Sequence, residues 1–250
     1  MMTPARLARP WGGMAYSYFR SHDPALVLVH GAWCDADDWN PVIPSLPPDQ
    51  SVLTFDLRGH GRSDNPLAPV TFDDLVDDIA ALVDHLGLGS PVLVGHSLGG
   101  MLSMRLAERH PGRTCGIALA EGWTWLGVPW EARHEMYGML PHAIIERIKG
   151  KWDAAQRRWP EPVLTGFWDT VRQANASHFL ETTRLPVLEV YGDRGKPRPA
   201  REKLSIPDRP NIRLAWVEDA GHYLSHEQPR LLGDLITEWL VRNGLVPRAV

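Results

Sequence analysis

Val92-Leu93-Val94-Gly95-His96-Ser97-Leu98-Gly99-Gly100 decides the fold. An apolar run enters Gly-x-Ser-x-Gly, and Met101 to Arg109 continues as an amphipathic stretch. The pattern predicts a buried strand, a sharp turn and a helix, which is the layout of a nucleophile elbow. Such a turn strains the backbone of its serine. Gly95 and Gly99 are needed where a Cβ would collide. Ser97 is left at the sheet edge with its hydroxyl exposed, above the partial positive charge of a helix N-terminus.

Working outward, further short apolar runs occur at Leu26–Val29, Val52–Phe55, Gly116–Ala120, Val187–Tyr191 and Leu214–Val217. They are continuous and not alternating, as strands of a parallel sheet covered on both faces should be. Helical spacing appears between them. Leu75, Ile79, Leu82, Val83 and Leu86 make a stripe within Thr71–Leu86, with Asp73, Asp74, Asp77 and Asp78 toward its N-terminal end. Pro229–Asn243 points Leu232, Leu235, Ile236, Trp239 and Leu240 inward. Strands alternating with helices predict an α/β fold with a doubly wound, mostly parallel sheet. Arg6–Tyr18 suggests an N-terminal antiparallel pair. The alternation lapses from 123 to 183, where helices are expected at Trp130–Leu140, Ala143–Trp159 and Thr165–Leu180. That stretch holds six of the 11 tryptophans. We therefore expect a core domain from 1–122 and 184–250 and a helical cap from 123–183.

Bulk properties narrow the functional classes. The chain has 250 residues, 44% of them hydrophobic and 22% charged, with a net charge of −4. No basic stripe favours nucleic acid, and no apolar run approaches the length of a membrane span. The two cysteines, Cys34 and Cys115, fit no metal-ligand spacing. No metal and no cofactor is expected. Met1–Pro10 lacks the apolar core of a secretory leader, so a cytoplasmic location is expected.

A serine nucleophile needs a base, a group that orients the base, and donors for an oxyanion. In an α/β sheet these belong on loops at the carboxyl ends of strands. His222 follows the last strand within Gly221-His222 and is the expected base. His226 follows that loop and is expected to begin a solvated approach to the final helix. The expected oxyanion donors are the N–H of Leu98, next to the nucleophile, and of Ala32 in His30-Gly31-Ala32-Trp33. His30 and His96 are expected to shape their loops and not to react. Two carboxylates could serve as the acid: Glu121, at the end of Ile117–Ala120, and Asp193, in Gly192-Asp193-Arg194-Gly195. Glu189, inside a strand, is expected to be structural. Trp33, Trp123 and Trp125 follow loops that open on the site and could line an apolar pocket.

His30-Gly31, Asp56-Leu57-Arg58-Gly59-His60-Gly61-Arg62-Ser63, Gly95-His96-Ser97-Leu98-Gly99 and Gly221-His222 stand in the order and spacing of the α/β-hydrolase fold superfamily. The chain resembles that superfamily over almost its whole length, with the cap as the variable part. The resemblance implies a Ser-His-acid triad. Its usual acid stands three residues after the glycine that follows strand seven, and here that position is Gly195, with Asp193 early. Some members carry the acid after strand six, including lactonases similar to those that open zearalenone, and this favours Glu121. The resemblance further implies hydrolysis of a hydrophobic small-molecule ester or lactone through an acyl-enzyme on Ser97. A thioesterase, a small-molecule receptor and a lyase are alternatives on the same fold. The lyase would need a pocket lysine, for which Lys149 and Lys151 are the cap candidates. The oligomeric state is not legible.

Overall fold

The computed structural model describes residues 2–66, 68–127 and 140–247. β1 (Thr3–Arg9) and β2 (Gly12–Phe19) form the antiparallel N-terminal pair. β2 also pairs antiparallel with β4 (Gln50–Phe55). From there the sheet is parallel, through β3 (His22–Val29), β5 (Val92–His96), β6 (Gly116–Ala120), β7 (Val187–Gly192) and β8 (Ile212–Val217). The order of the eight strands is β1-β2-β4-β3-β5-β6-β7-β8. All six strands expected from apolar runs are present.

The continuous apolar runs are explained by burial on both faces. β4, β5, β6 and β7 are buried at every residue. α1 (Phe72–His85) and α2 (Leu98–Arg109) cover one face, where Val27, Val29 and Leu93 meet Leu75, Ile79 and Leu102. Thr71 caps α1 reciprocally with Asp74: Asp74 N–H donates to Thr71 Oγ1, and Thr71 N–H donates to Asp74 Oδ2.

Three helices interrupt the alternation: α3 (His142–Gln156), α4 (Glu161–Gln173) and α5 (Ser177–Thr182). The helix expected at Trp130–Leu140 lies outside the described residues except for Leu140. The single helix expected at Thr165–Leu180 is two helices. α4 starts earlier because Pro162 is tolerated in a first helical turn. It ends where Ala174 turns extended, Asn175 bridges to Trp125, and Asn175 Oδ1 accepts from Ser177 N–H at 2.9 Å. After β8 come α6 (Leu224–Glu227) and α7 (Pro229–Arg242). α7 covers the second face, where Leu26, Leu28, Val92 and Val94 meet Ile236, Trp239 and Leu240. Among the described residues no helix is long and apolar enough to cross a membrane.

The elbow is a tight join between backbone segments. A Cβ on Gly99 would stand 2.2 Å from Val29 O and 2.6 Å from His30 O. A Cβ on Gly95 would stand 2.5 Å from Gly99 O. These neighbours are backbone, so nothing can swing aside. Gly99→Ala is expected to cost about 3 kcal/mol and to lower Tm by about 10 °C. Thermal unfolding checks it, and an unchanged Tm would mean that the end of β3 yields easily.

Candidate active site

Ser97 sits between β5 and α2 with φ 51° and ψ −119°. A non-glycine residue reaches this region only when its surroundings force it there. Ser97 N–H donates to Ala120 O at 3.1 Å, and His96 and Ala120 are register partners on β5 and β6. The residue after Ala120 is Glu121. Ser97 and the strand-six carboxylate therefore stand at adjacent strand ends. Glu121 is itself left-handed (φ 54°), as is Trp123 (φ 33°).

His222 is 2% exposed. Its Nδ1 lies 3.2 Å from Glu121 Oε2. Trp123 and His96 lie against the imidazole, with ring centroids 4.9 and 4.8 Å away. His96 Nε2–H donates to His222 O at 2.9 Å. Burial and the nearby His222 push the His96 pKa down to about 3, so His96 is a neutral donor that shapes the site. Glu121 is fully buried and also accepts from Gly192 N–H at 2.9 Å. Burial opposes its ionisation. The hydrogen bond to His222 and the charge of Arg194 outweigh burial, and the carboxyl is held below its ordinary range.

Asp193, the other expected acid, faces elsewhere. Its carboxylate accepts from Gly195 N–H at 3.1 Å, from Asp219 N–H at 2.8 Å and from Arg198 at 3.1 Å. It ties the β7 loop to the β8 loop. Glu121, not Asp193, is the carboxylate in contact with His222.

The loop after β3 comes close to the elbow. A Cβ on Gly31 would stand 2.7 Å from His96 Nδ1 and 3.2 Å from Ser97 Cβ. Neither the Ala32 nor the Leu98 N–H has a backbone or side-chain acceptor among the described residues. His30 shapes this loop as expected: Nδ1–H donates to Gly31 O at 2.7 Å, and Nε2 accepts from Leu57 N–H at 2.9 Å. Asp56 likewise organises its own loop, accepting from Ala36 N–H at 2.7 Å and Arg62 N–H at 2.8 Å.

The three tryptophans part company. Trp123 packs on His222. Trp33 is buried and stacks on His60 at 5.4 Å, beside Trp159 and Trp168. Trp125 is 36% exposed, and its Nε1–H donates to Ser205 Oγ at 3.1 Å. A cavity of about 470 Å³ between α1, α2 and α4 is lined by Phe72, Met101, Arg105, Thr124 and Gln173, among others, and by neither Ser97 nor His222.

The inserted helices are fastened beside the site. Lys151 on α3 donates to Asp35 at 2.7 Å and to Asp38 at 2.8 Å. His226 Nε2 meets Asp38 Oδ1 at 2.7 Å, with both side chains almost fully buried. The expected solvated His226 is thus corrected: Asp38 draws it inward. Burial opposes a charge on Asp38, but His226 and Lys151 outweigh it and hold the carboxyl far below its usual range. A depressed carboxylate stabilises the fold above its unfolded pKa, about 4, and that stability is lost as pH falls through the folded value. Asp38→Asn is expected to cost about 2–3 kcal/mol at neutral pH and to flatten the acid end of the Tm-against-pH curve. Calorimetry across pH checks both.

Residues 24–141 match the family model described as alpha/beta hydrolase fold. A 2-(acetamidomethylene)succinate hydrolase of Mesorhizobium japonicum is 35% identical over 87% of this chain and 88% of its own. The chain belongs to the α/β-hydrolase fold family. A 3-oxoadipate enol-lactonase of Acinetobacter baylyi is 31% identical over 55% of this chain, which spans 53% of that protein. An N-acyl homoserine lactone degrading enzyme superposes with a TM-score of 0.76 at 23% identity, over 94% of this chain and 99% of that one.

This α/β-hydrolase fold protein also holds groups that the sequence reading missed. Glu227 accepts from Gly221 N–H at 2.6 Å and from Tyr223 N–H at 3.2 Å, clasping the loop that carries His222. Arg194 donates to both oxygens of Glu121. The sequence signal for Glu227 was a carboxylate five residues beyond the histidine. For Arg194 it was a cation in the loop where the family's acid usually stands. Lys151 is committed to Asp35 and Asp38, and Lys149 donates to Glu146 at 3.3 Å.

Proposed function

We propose that the chain is a serine hydrolase that cleaves a carboxylic ester or lactone of a hydrophobic small molecule through an acyl-enzyme on Ser97. The observation that carries this reading is the 3.2 Å contact of His222 Nδ1 with Glu121 at the strand end beside the strained Ser97. In the proposed reaction His222 takes the Ser97 proton as Oγ attacks the carbonyl carbon. The tetrahedral oxyanion is received by the Ala32 and Leu98 N–H groups, each worth roughly 3–4 kcal/mol. His222 then passes the proton to the leaving oxygen, and the acyl-enzyme forms. Water, deprotonated by His222, releases the acid and restores Ser97. Glu121 keeps the imidazole oriented and stabilises its charged form.

Trp123, packed on His222, offers an apolar wall to the substrate, and helices α3–α5 act as the cap. Trp33 sits in a separate aromatic cluster with His60, Trp159 and Trp168, under the inserted helices. The commitment of Lys151 to two aspartates argues against a lysine-assisted lyase. The test is a panel of aryl esters, thioesters, and small and macrocyclic lactones, with Ser97→Ala run alongside. Turnover of esters or lactones that vanishes in the variant supports the reading. A preference for thioesters would make the chain a thioesterase, and turnover that survives in Ser97→Ala would sink the serine mechanism.

A further inference from the structure

The loop after β7 brings a cation to Glu121. Arg194 has φ 58°, a left-handed backbone uncommon for a side chain of this size. From there Nη1 donates to Glu121 Oε1 at 3.1 Å and Nη2 to Oε2 at 2.8 Å. Nη1 also donates to Gly192 O at 2.6 Å. The pair is buried, with side-chain exposures of 5% and 0%. Glu121 Oε2 thus serves two partners, Arg194 and His222.

A second buried carboxylate stands close by. Glu189 lies in the middle of β7, in register with Leu119 on β6 and Leu214 on β8. Neither of its oxygens has a hydrogen-bond partner among the described residues. A bare charge there would be costly. Burial first, and then the charge of Glu121, push its pKa up to about 8. Two carboxylates in one dry region cannot both ionise unless something distinguishes them. The titratable groups facing Glu121 are His222, His96, Arg194, Glu189 and Tyr191. Of these, Arg194 alone is permanently cationic.

We propose that Arg194 is a positioning residue whose two-pronged grip makes Glu121, and not Glu189, the charged carboxylate and aims it at His222. This rests on Glu121 being the acid of a Ser97-His222-Glu121 triad. A guanidinium matches both carboxylate oxygens at once, so it fixes the plane of Glu121 as well as its charge. With Arg194 in place, Glu121 keeps its charge, and the acid limb of activity reports proton uptake by the coupled His222–Glu121 pair. Without the guanidinium, Glu121 takes up a proton at higher pH.

The experiment is the pH profile of kcat/KM for the wild type, Arg194→Gln and Arg194→Lys on an ester that the enzyme turns over. In Arg194→Gln the acid limb is expected to move up by about one pH unit. Arg194→Lys should return the limb toward its wild-type position with a lower plateau, because an ammonium supplies charge without the fork. An Arg194→Gln profile that keeps the wild-type acid limb overturns the proposal. Should Arg194→Gln fail to fold, infrared spectroscopy of the buried carboxyls decides. A protonated-carboxyl band at neutral pH that disappears in Glu189→Gln supports the assignment. A band that disappears in Glu121→Gln instead, or no band, overturns it. Full activity in Glu121→Gln would sink the triad reading itself. An inactive Glu121→Gln beside an unmoved Arg194→Gln limb would sink only the role given to Arg194.

Discussion

Ser97→Ala should lower kcat by roughly ten-thousand- to million-fold while Tm stays within about 2 °C. The hydroxyl is the only group removed. The backbone at φ 51° is held by the elbow and not by the side chain, because Gly95 and Gly99 allow the chain to close on itself. Loss of the proposed nucleophile leaves His222, Glu121 and the N–H groups of Ala32 and Leu98 in place. Residual turnover would measure what binding and the oxyanion donors achieve without a covalent step. Substrate affinity should survive, so calorimetric titration with a product acid gives a control. A variant that retained a tenth of wild-type kcat would show that Ser97 Oγ does not form the acyl-enzyme.

Glu121→Gln is expected to lower kcat by roughly a thousand- to ten-thousand-fold with KM little changed. The amide keeps the shape but removes the charge that steadies His222. It can also turn its NH2 toward the imidazole and favour the wrong tautomer. The Arg194 guanidinium would then lack its counter-charge in a buried site, so Tm should fall as well. Near-UV circular dichroism separates an inactive fold from a lost one. Asp193→Asn is the matched control. Its carboxylate joins two loops and does not meet His222, so kcat should change by less than about ten-fold. The reverse ranking of the two variants would transfer the acid to Asp193.

Much of the fold could be read from the chain because its parallel strands are buried on both faces. That leaves continuous apolar runs, which need no tertiary context to detect. Val187–Tyr191 was found despite Glu189, since the residues around it satisfy the strand pattern. The inserted helices were harder. Pro160 and Pro162 fall between the helices expected at Ala143–Trp159 and Thr165–Leu180 and in fact open α4, while Asn175 ends that helix through a partner distant in sequence. His226 looked like a surface residue because Asp38, which buries it, is 188 residues away.

The strained Ser97 turn and its glycines follow from local sequence, because a turn that exposes a serine above a helix allows few residue types. The choice between Glu121 and Asp193 does not follow from local sequence. Both lie at the carboxyl ends of adjacent strands, within a side chain's length of the same region. Only the packed structure shows that Asp193 is taken up by Gly195, Asp219 and Arg198, while Glu121 faces His222. The sequence determines which chemical groups reach the strand ends, since strand polarity and loop length set that. Tertiary structure decides which of them meet, because hydrogen-bond partners a hundred residues apart are chosen by strand order and loop twist, and neither is written in any local window of the chain.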